Sequence, residues 1–346
     1  MDEFNENKKS ISAEITASST RVSAMMLLFV LFAFALGGLT DLICSKVFES
    51  AASSTAAALT TLIVYSVQYL LIIPVCVAFS NRGSDFKIRS LYRKPECSAG
   101  FAFKWIIIGF ALMQTVNLIM NVLFTVIQTV TGKDFFEPNI GTFGSKAEIA
   151  VSFFVMVIYA PVFEELMCRG AVYKNFHRFG PWFTIVISGV LFGLMHRNYQ
   201  QIFYACAGGI ILCYLCVKTK SIVVPMLMHF FCNILGAFGM VVYSNAGISD
   251  TLTYDEMYEK ITSSGLFDIL TLFGYIILIY GLILTGIILF IIELCCHRES
   301  FRLENECPEL TKGQKAAALF RSPVTIITLL VYIAVTIINA SGILYI

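Results

Sequence analysis

The chain has 346 residues, 58% of them hydrophobic and only 14% charged, with a mean hydropathy of +0.79 and a net charge of +1. Soluble domains carry about 25% charged residues, so this composition excludes an ordinary soluble fold and indicates a membrane protein. No basic cluster is interleaved with aromatics, so no nucleic-acid partner is expected.

Residues 1–20 are polar and rich in Ser, Thr, Asn and Glu, and read as a disordered cytoplasmic tail ending at residue 21. The first apolar run begins too late and is too long for a cleavable signal peptide. About 20 apolar residues are needed to cross the hydrocarbon core. On that test spans fall at 22–43, 57–79, 101–130, 147–163, 182–195, 202–217, 222–243, 266–293 and 323–343. The run at 182–195 is short, which leaves eight or nine. The fold expected is all-α, a polytopic bundle of transmembrane helices with its N-terminus inside. N-terminal helices occupy 22–100 and a helical core occupies 101–243. An acidic outer loop (Asp250, Asp255, Glu256, Glu259) and C-terminal helices follow over 244–346, the last span reading as an appended anchor. The 11 cysteines are scattered, and Cys44, Cys76, Cys206, Cys213, Cys216 and Cys232 fall inside apolar runs. That is small-hydrophobe usage rather than a disulfide framework or a CxxC site. Cys295-Cys296 has the form of a lipidation site, but a plain helix end is the simpler reading.

Charge placement tests the topology, because cytoplasmic loops collect Lys and Arg. With the N-terminus inside, only Lys46, Lys133, Lys146, Arg197 and Lys260 of the 24 basic residues fall on the outer side. The asymmetry supports N-in, C-out and puts Glu164 to Arg169 near the cytoplasmic face.

Three short stretches place ionisable and amide groups inside otherwise apolar spans, where such groups are costly and mark function. In Glu164-Glu165-x-x-x-Arg169, which follows an uncharged run, Glu165 and Arg169 are spaced i, i+4 and can pair on one helix face. Glu164 is turned away by about 100° and has no such partner, which leaves it as the carboxylate suited to act as a base. The second stretch is Phe192-x-x-x-His196. The third is His229-x-x-x-Asn233, whose imidazole and carboxamide share a face and can both donate to one oxyanion. His196 and Glu164 could converge on one water. Each stretch taken singly has a plainer explanation: a structural histidine, an ordinary ion pair, and a packing role for Phe192. Together, on three spans, they suit one hydrolysis.

These three motifs, in this order on successive spans, resemble those of the CAAX protease and bacteriocin-processing family (CPBP, or Abi), which includes the Ras-converting CAAX endopeptidase. The resemblance covers about residues 100–243. It implies a helical intramembrane endopeptidase in which glutamate activates water and no metal or other cofactor takes part. Carried over, Glu164 is the general base and His196 helps to position the water. Glu165 and Arg169 hold the geometry, and His229 and Asn233 stabilise the oxyanion. The cavity would open toward the cytoplasm and laterally to lipid, and the partners would be a peptide or membrane-associated protein substrate and the bilayer. Small-residue-rich spans and the short tail point to a bacterial plasma membrane. The competing readings are a zinc-dependent membrane peptidase, which would lack the usual HExxH helix, a non-catalytic immunity or binding protein, and a proton-coupled transporter.

Overall fold

The computed structural model describes residues 2–48, 53–82, 88–132, 145–248, 252, 254–304 and 307–340. Lys87, Lys133, Asp250 and the expected end of the last span at 341–343 lie outside the described residues. Among the described residues eight helices are long and apolar enough to cross a membrane, and a shorter apolar helix, Pro181–Met195, packs among them. No strand occurs among the described residues. The protein is thus an all-α bundle of an integral membrane protein.

In chain order, α1 (Asp2–Val47) is followed by α2 (Ser53–Ser66), which runs through a π-helical turn (Val67–Ile72) into α3 (Ile73–Ser80). Next come α4 (Ala99–Thr131) and a long broken helix. The latter comprises α5 (Lys146–Phe154), a π segment (Val155–Tyr159), α6 (Ala160–Glu165), a second π segment (Leu166–Val172) and α7 (Tyr173–Phe176). After it come α8 (Pro181–Met195), α9 (Tyr199–Thr219), α10 (Val223–Asn245), α11 (Tyr254–Ser263), α12 (Leu266–Cys296), α13 (Lys312–Phe320) and α14 (Pro323–Ala340). Local chemistry sets several of the starts. Ser98 accepts from Phe101 N at α4, Asn198 accepts from Gln200 N and Gln201 N at α9, and Thr311 forms a capping box with Gln314 at α13.

Three expectations need correction. Residues 2–20 are not a disordered tail but the first turns of α1. Ile15, Ser18 and Ser19 are buried, and the hydroxyls that suggested disorder act as a seam. Thr16 Oγ1 donates to Ala318 O at 2.9 Å, Ser19 Oγ to Leu319 O at 3.0 Å and Thr20 Oγ1 to Ser322 Oγ at 2.8 Å. Such short polar side chains are the usual adhesive between helices in a membrane, where burial of apolar surface gives no driving force. The same seam means that α14 is no appended anchor: Thr328 Oγ1 donates to Ser23 O and Tyr332 Oη to Met26 O, both at 3.0 Å. Part of the acidic outer loop is likewise helical, as α11.

The segments expected on the inner side meet at one end of the bundle. Arg178 pairs with Glu14 at 3.1 Å, Lys220 with Glu96 at 3.0 Å, and Lys104 with the buried Glu293. Lys174 Nζ donates to Asn81 Oδ1 at 2.7 Å, and the buried Lys315 caps the carbonyls of Phe179 and Cys307 at 2.6 and 2.8 Å.

Helices α8 and α9 cross closely, which Gly189, Gly193 and Gly209 make possible. A methyl added at Gly193 would lie 2.6 Å from Ile202 O, and one at Gly209 would lie 2.9 Å from Gly189 Cα. Only glycine lets the two backbones approach this far. The crossing carries Phe192 and His196 to the broken helix.

Candidate active site

The first irregularity of the broken helix comes with a proline. Across the first π segment the Ala160 N–H reaches Val155 O, one residue further than in an α-helix. In that wider register the next carbonyl, Met156 O, would pair with residue 161, which is proline and has no N–H. Asn233 fills the gap, its Nδ2 donating to Met156 O at 2.8 Å. The same device recurs at Val67–Ile72, where the Ile73 N–H reaches Gln68 O and Pro74 follows. π-helical turns of this kind re-aim side chains and gather at functional sites. The two adjacent carboxylates sit on α6, with a π segment on each side.

The Glu-Glu motif therefore does not end its span, as the apolar run implied. The helix continues through it to Phe179. At about 1.5 Å per residue, Glu164 lies roughly 15 Å from Lys174 at the basic end and roughly 27 Å from Lys146 at the other.

Glu165 and Arg169 pair as the spacing predicts, Arg169 Nη1 to Glu165 Oε1 at 2.9 Å with both side chains fully buried. Further contacts fix the guanidinium. Nη2 donates to Gly209 O at 2.7 Å, and the plane lies over the Phe192 ring with 4.9 Å to its centroid. The carbonyl it uses belongs to the α8–α9 crossing, so the ion pair locks three helices. Phe192 is the hub of this packing: its ring meets those of His196 and His229 edge-on at 5.0 and 5.5 Å.

Around this pair the other predicted residues gather. His229 Nδ1 donates to Glu165 Oε1 at 3.1 Å, while its Nε2 lies 3.8 Å from Glu164 Oε2. His196 Nδ1 donates to Phe192 O at 2.8 Å, which fixes the ring orientation and leaves Nε2 free to accept in the neutral form. His196, His229 and Asn233 line one cavity of about 180 Å³, together with Met113, Met156 and Met228. Glu164 is not among the lining residues but lies against His229, which is. All six predicted residues thus belong to one cluster. The simple picture of His229 and Asn233 donating side by side to one point does need revision. One nitrogen of His229 is committed to Glu165, and one amide hydrogen of Asn233 to Met156.

Two residues escaped the sequence reading. Tyr69, on the π turn of the second span, donates from Oη to Glu164 Oε1 at 2.8 Å and packs on the rings of Tyr159 and Phe163. Glu164 therefore has a partner after all, on a helix outside the resemblance, and only its Oε2 is buried without a hydrogen bond. Pro74 inside an apolar span was the available signal. Arg197, counted as an outer-side charge, is instead only 8% exposed, and its carbonyl accepts from Asn339 Nδ2 at 3.1 Å.

No curated protein and no solved structure matches the chain. Residues 146–235 match a family model described as type II CAAX prenyl endopeptidase Rce1-like. The matched segment starts with the broken helix and ends just past Asn233, so it contains all six clustered residues. Over that segment the chain is similar to the Rce1-like domain of the CAAX protease family.

Proposed function

We propose that this protein is an intramembrane endopeptidase that hydrolyses a peptide bond with a water activated by Glu164. The observation that carries the reading is the asymmetry of the two carboxylates. Each keeps a buried Oε2 without a hydrogen bond. Glu165, however, carries the ion pair with Arg169 and the bond from His229. Glu164 is hydrogen-bonded only at Oε1, by the neutral hydroxyl of Tyr69, and no described guanidinium pairs with it. Its Oε2 is free to take a proton.

In this scheme a water sits between Glu164 Oε2 and His196 Nε2, giving one hydrogen to each. Glu164 takes the proton as the water oxygen attacks the peptide carbonyl carbon, and later returns it to the leaving amine as the C–N bond breaks. With a proton on both ring nitrogens, His229 gives Nδ1–H to Glu165 and keeps Nε2–H for the developing oxyanion. The second amide hydrogen of Asn233 joins it. Glu165 and Arg169 are positioning residues. The step so drawn uses no metal: Glu164 is its base, and His229 and Asn233 hold its oxyanion. The basic end of the bundle faces the cytoplasm by the positive-inside rule, and the nearer approach to Glu164 is from that end. The substrate is a peptide or membrane-associated protein, and the bilayer is a bacterial plasma membrane.

Glu164→Gln, purified in detergent and given a prenylated peptide of the CAAX pattern, is expected to lose at least ~10³-fold in cleavage while keeping its Tm, which mass spectrometry of the products and a melting curve together check. Cleavage that survives this change refutes the scheme. Stoichiometric zinc whose removal by chelation abolishes activity, and whose return restores it, would replace the metal-free step.

A further inference from the structure

Arg197 has no part in that scheme, yet it is a cation buried inside a membrane protein. It is 8% exposed, Nε and Nη1 are buried without a hydrogen bond, and no ion pair joins it to a described carboxylate. A buried guanidinium is costly unless an anion meets it. Among the described residues the other buried Lys and Arg side chains all have partners: Arg169 meets Glu165, Lys174 meets Asn81, and Lys315 meets two carbonyls.

Its backbone is equally unusual. Arg197 is the first residue past the C-cap of α8 and has φ of +55°. A left-handed residue after a helix is common, but glycine or asparagine normally occupies it. The other non-glycine at positive φ, Lys220, ends α9 at the surface and pairs there with Glu96. At Arg197 the turn instead carries the side chain inward, with its carbonyl held from α14 by Asn339. The residue before it is His196, which lines the cavity. The guanidinium is within electrostatic reach of the hydroxyls of Tyr69 and Tyr332, and Tyr69 is bonded to Glu164. A buried positive charge thus lies within electrostatic reach of the tyrosine that holds the reacting carboxylate.

We propose that Arg197 binds the free terminal carboxylate of a peptide that lies across the Glu164 site. The guanidinium fork matches a carboxylate in shape and charge, and the cleaved bond would then lie a fixed short distance from the substrate's end. This rests on the peptidase reading and adds to it a residue that measures from the C-terminus. A lipid phosphate offers the same oxygens, but the neighbourhood of His196 and Tyr69 favours a group that belongs to the substrate.

The test reads binding rather than turnover. The Glu164→Gln protein is placed in phosphatidylcholine nanodiscs and titrated with a fluorescent prenylated decapeptide of the CAAX pattern, made as the free acid and as the carboxamide. The acid is expected to bind at least tenfold more tightly. Adding Arg197→Gln should lower acid affinity to that of the amide and leave the amide unchanged. If the Arg197→Gln protein does not fold, Arg197→Lys carries the test and should narrow the preference. Equal binding of acid and amide with Arg197 present overturns the proposal, as does a preference that survives both substitutions. If acid and amide bind alike while phosphatidylglycerol raises the Tm of the Arg197 protein and not of Arg197→Gln, the anion is a lipid phosphate and the proposal falls. Because no cleavage is needed, cleavage surviving in the Glu164→Gln protein would refute the catalytic scheme and leave this readout standing.

Discussion

Helix α12 has the highest hydropathy of the eight candidate spans and the least cover, only 6% of its most apolar window being buried, whereas α9, among the least apolar, has 56% buried. In a soluble protein the order would be reversed. Here the surrounding solvent is hydrocarbon, so an apolar face gains little by turning inward. The interior is left to small residues, aromatics and satisfied polar groups. Gly208, Gly209, Cys213 and Cys216 make up much of the buried side of α9, while Phe267, Ile277 and Leu284 stand on the open side of α12. The comparison explains why the chemistry sits where it does. A carboxylate, two imidazoles and a carboxamide can be held in a bilayer only at a crossing tight enough to exclude lipid and polar enough to pair them.

The strongest way to break that comparison is to unpair the buried ions. Arg169→Gln leaves Glu165 facing His229 alone and removes the bond to Gly209 O, and the expected cost is about 3–5 kcal/mol. Thermal unfolding in detergent should show it as the largest Tm loss of any single change considered. Replacing Glu165 and Arg169 together by Gln and Met should recover part of the loss. No recovery would mean that the pair matters for more than its charges.

A smaller effect is expected at Tyr69→Phe, which removes one hydrogen bond to a carboxylate, worth about 1.5–3 kcal/mol. Because Glu164 is the proposed base, kcat should fall as well, roughly ten- to a hundredfold, with KM nearly unchanged and a Tm loss smaller than that of Arg169→Gln. A fall in Tm without a fall in kcat would make Tyr69 a packing residue.

Much of this was legible in the sequence, and the unread parts share a cause. Apolar runs of about 20 residues mark spans because the bilayer fixes their length. The motifs were legible because ionisable groups are rare there. Periodicity names the face of a helix but not what lies across from it. Tyr69 on the second span could not be matched to Glu164 without the fold, and Asn233 could not be matched to a carbonyl that Pro161 frees. Thr16, Ser19 and Thr20 look like a polar tail in sequence and become a seam only once α13 and α14 lie opposite. Arg197 looks like a loop charge because it follows a short helix, and only its burial identifies it as something else.

The smallest expected effect tests the comparison itself. Leu284 on α12 is 63% exposed, while Leu215 on α9 is fully buried. Truncating Leu215 to alanine removes methyls from a packed interior and leaves a cavity, at a cost of about 2–5 kcal/mol. Truncating Leu284 only exchanges side-chain methyls for lipid methylenes, because acyl chains close over the gap, so the loss should stay below ~0.5 kcal/mol. The two variants, measured side by side by thermal unfolding in the same nanodiscs, should therefore differ severalfold in Tm shift. A Leu284→Ala loss as large as that of Leu215→Ala would mean that protein, not lipid, covers α12. The open face would then be an interface, and its high hydropathy would need the explanation given to any buried core.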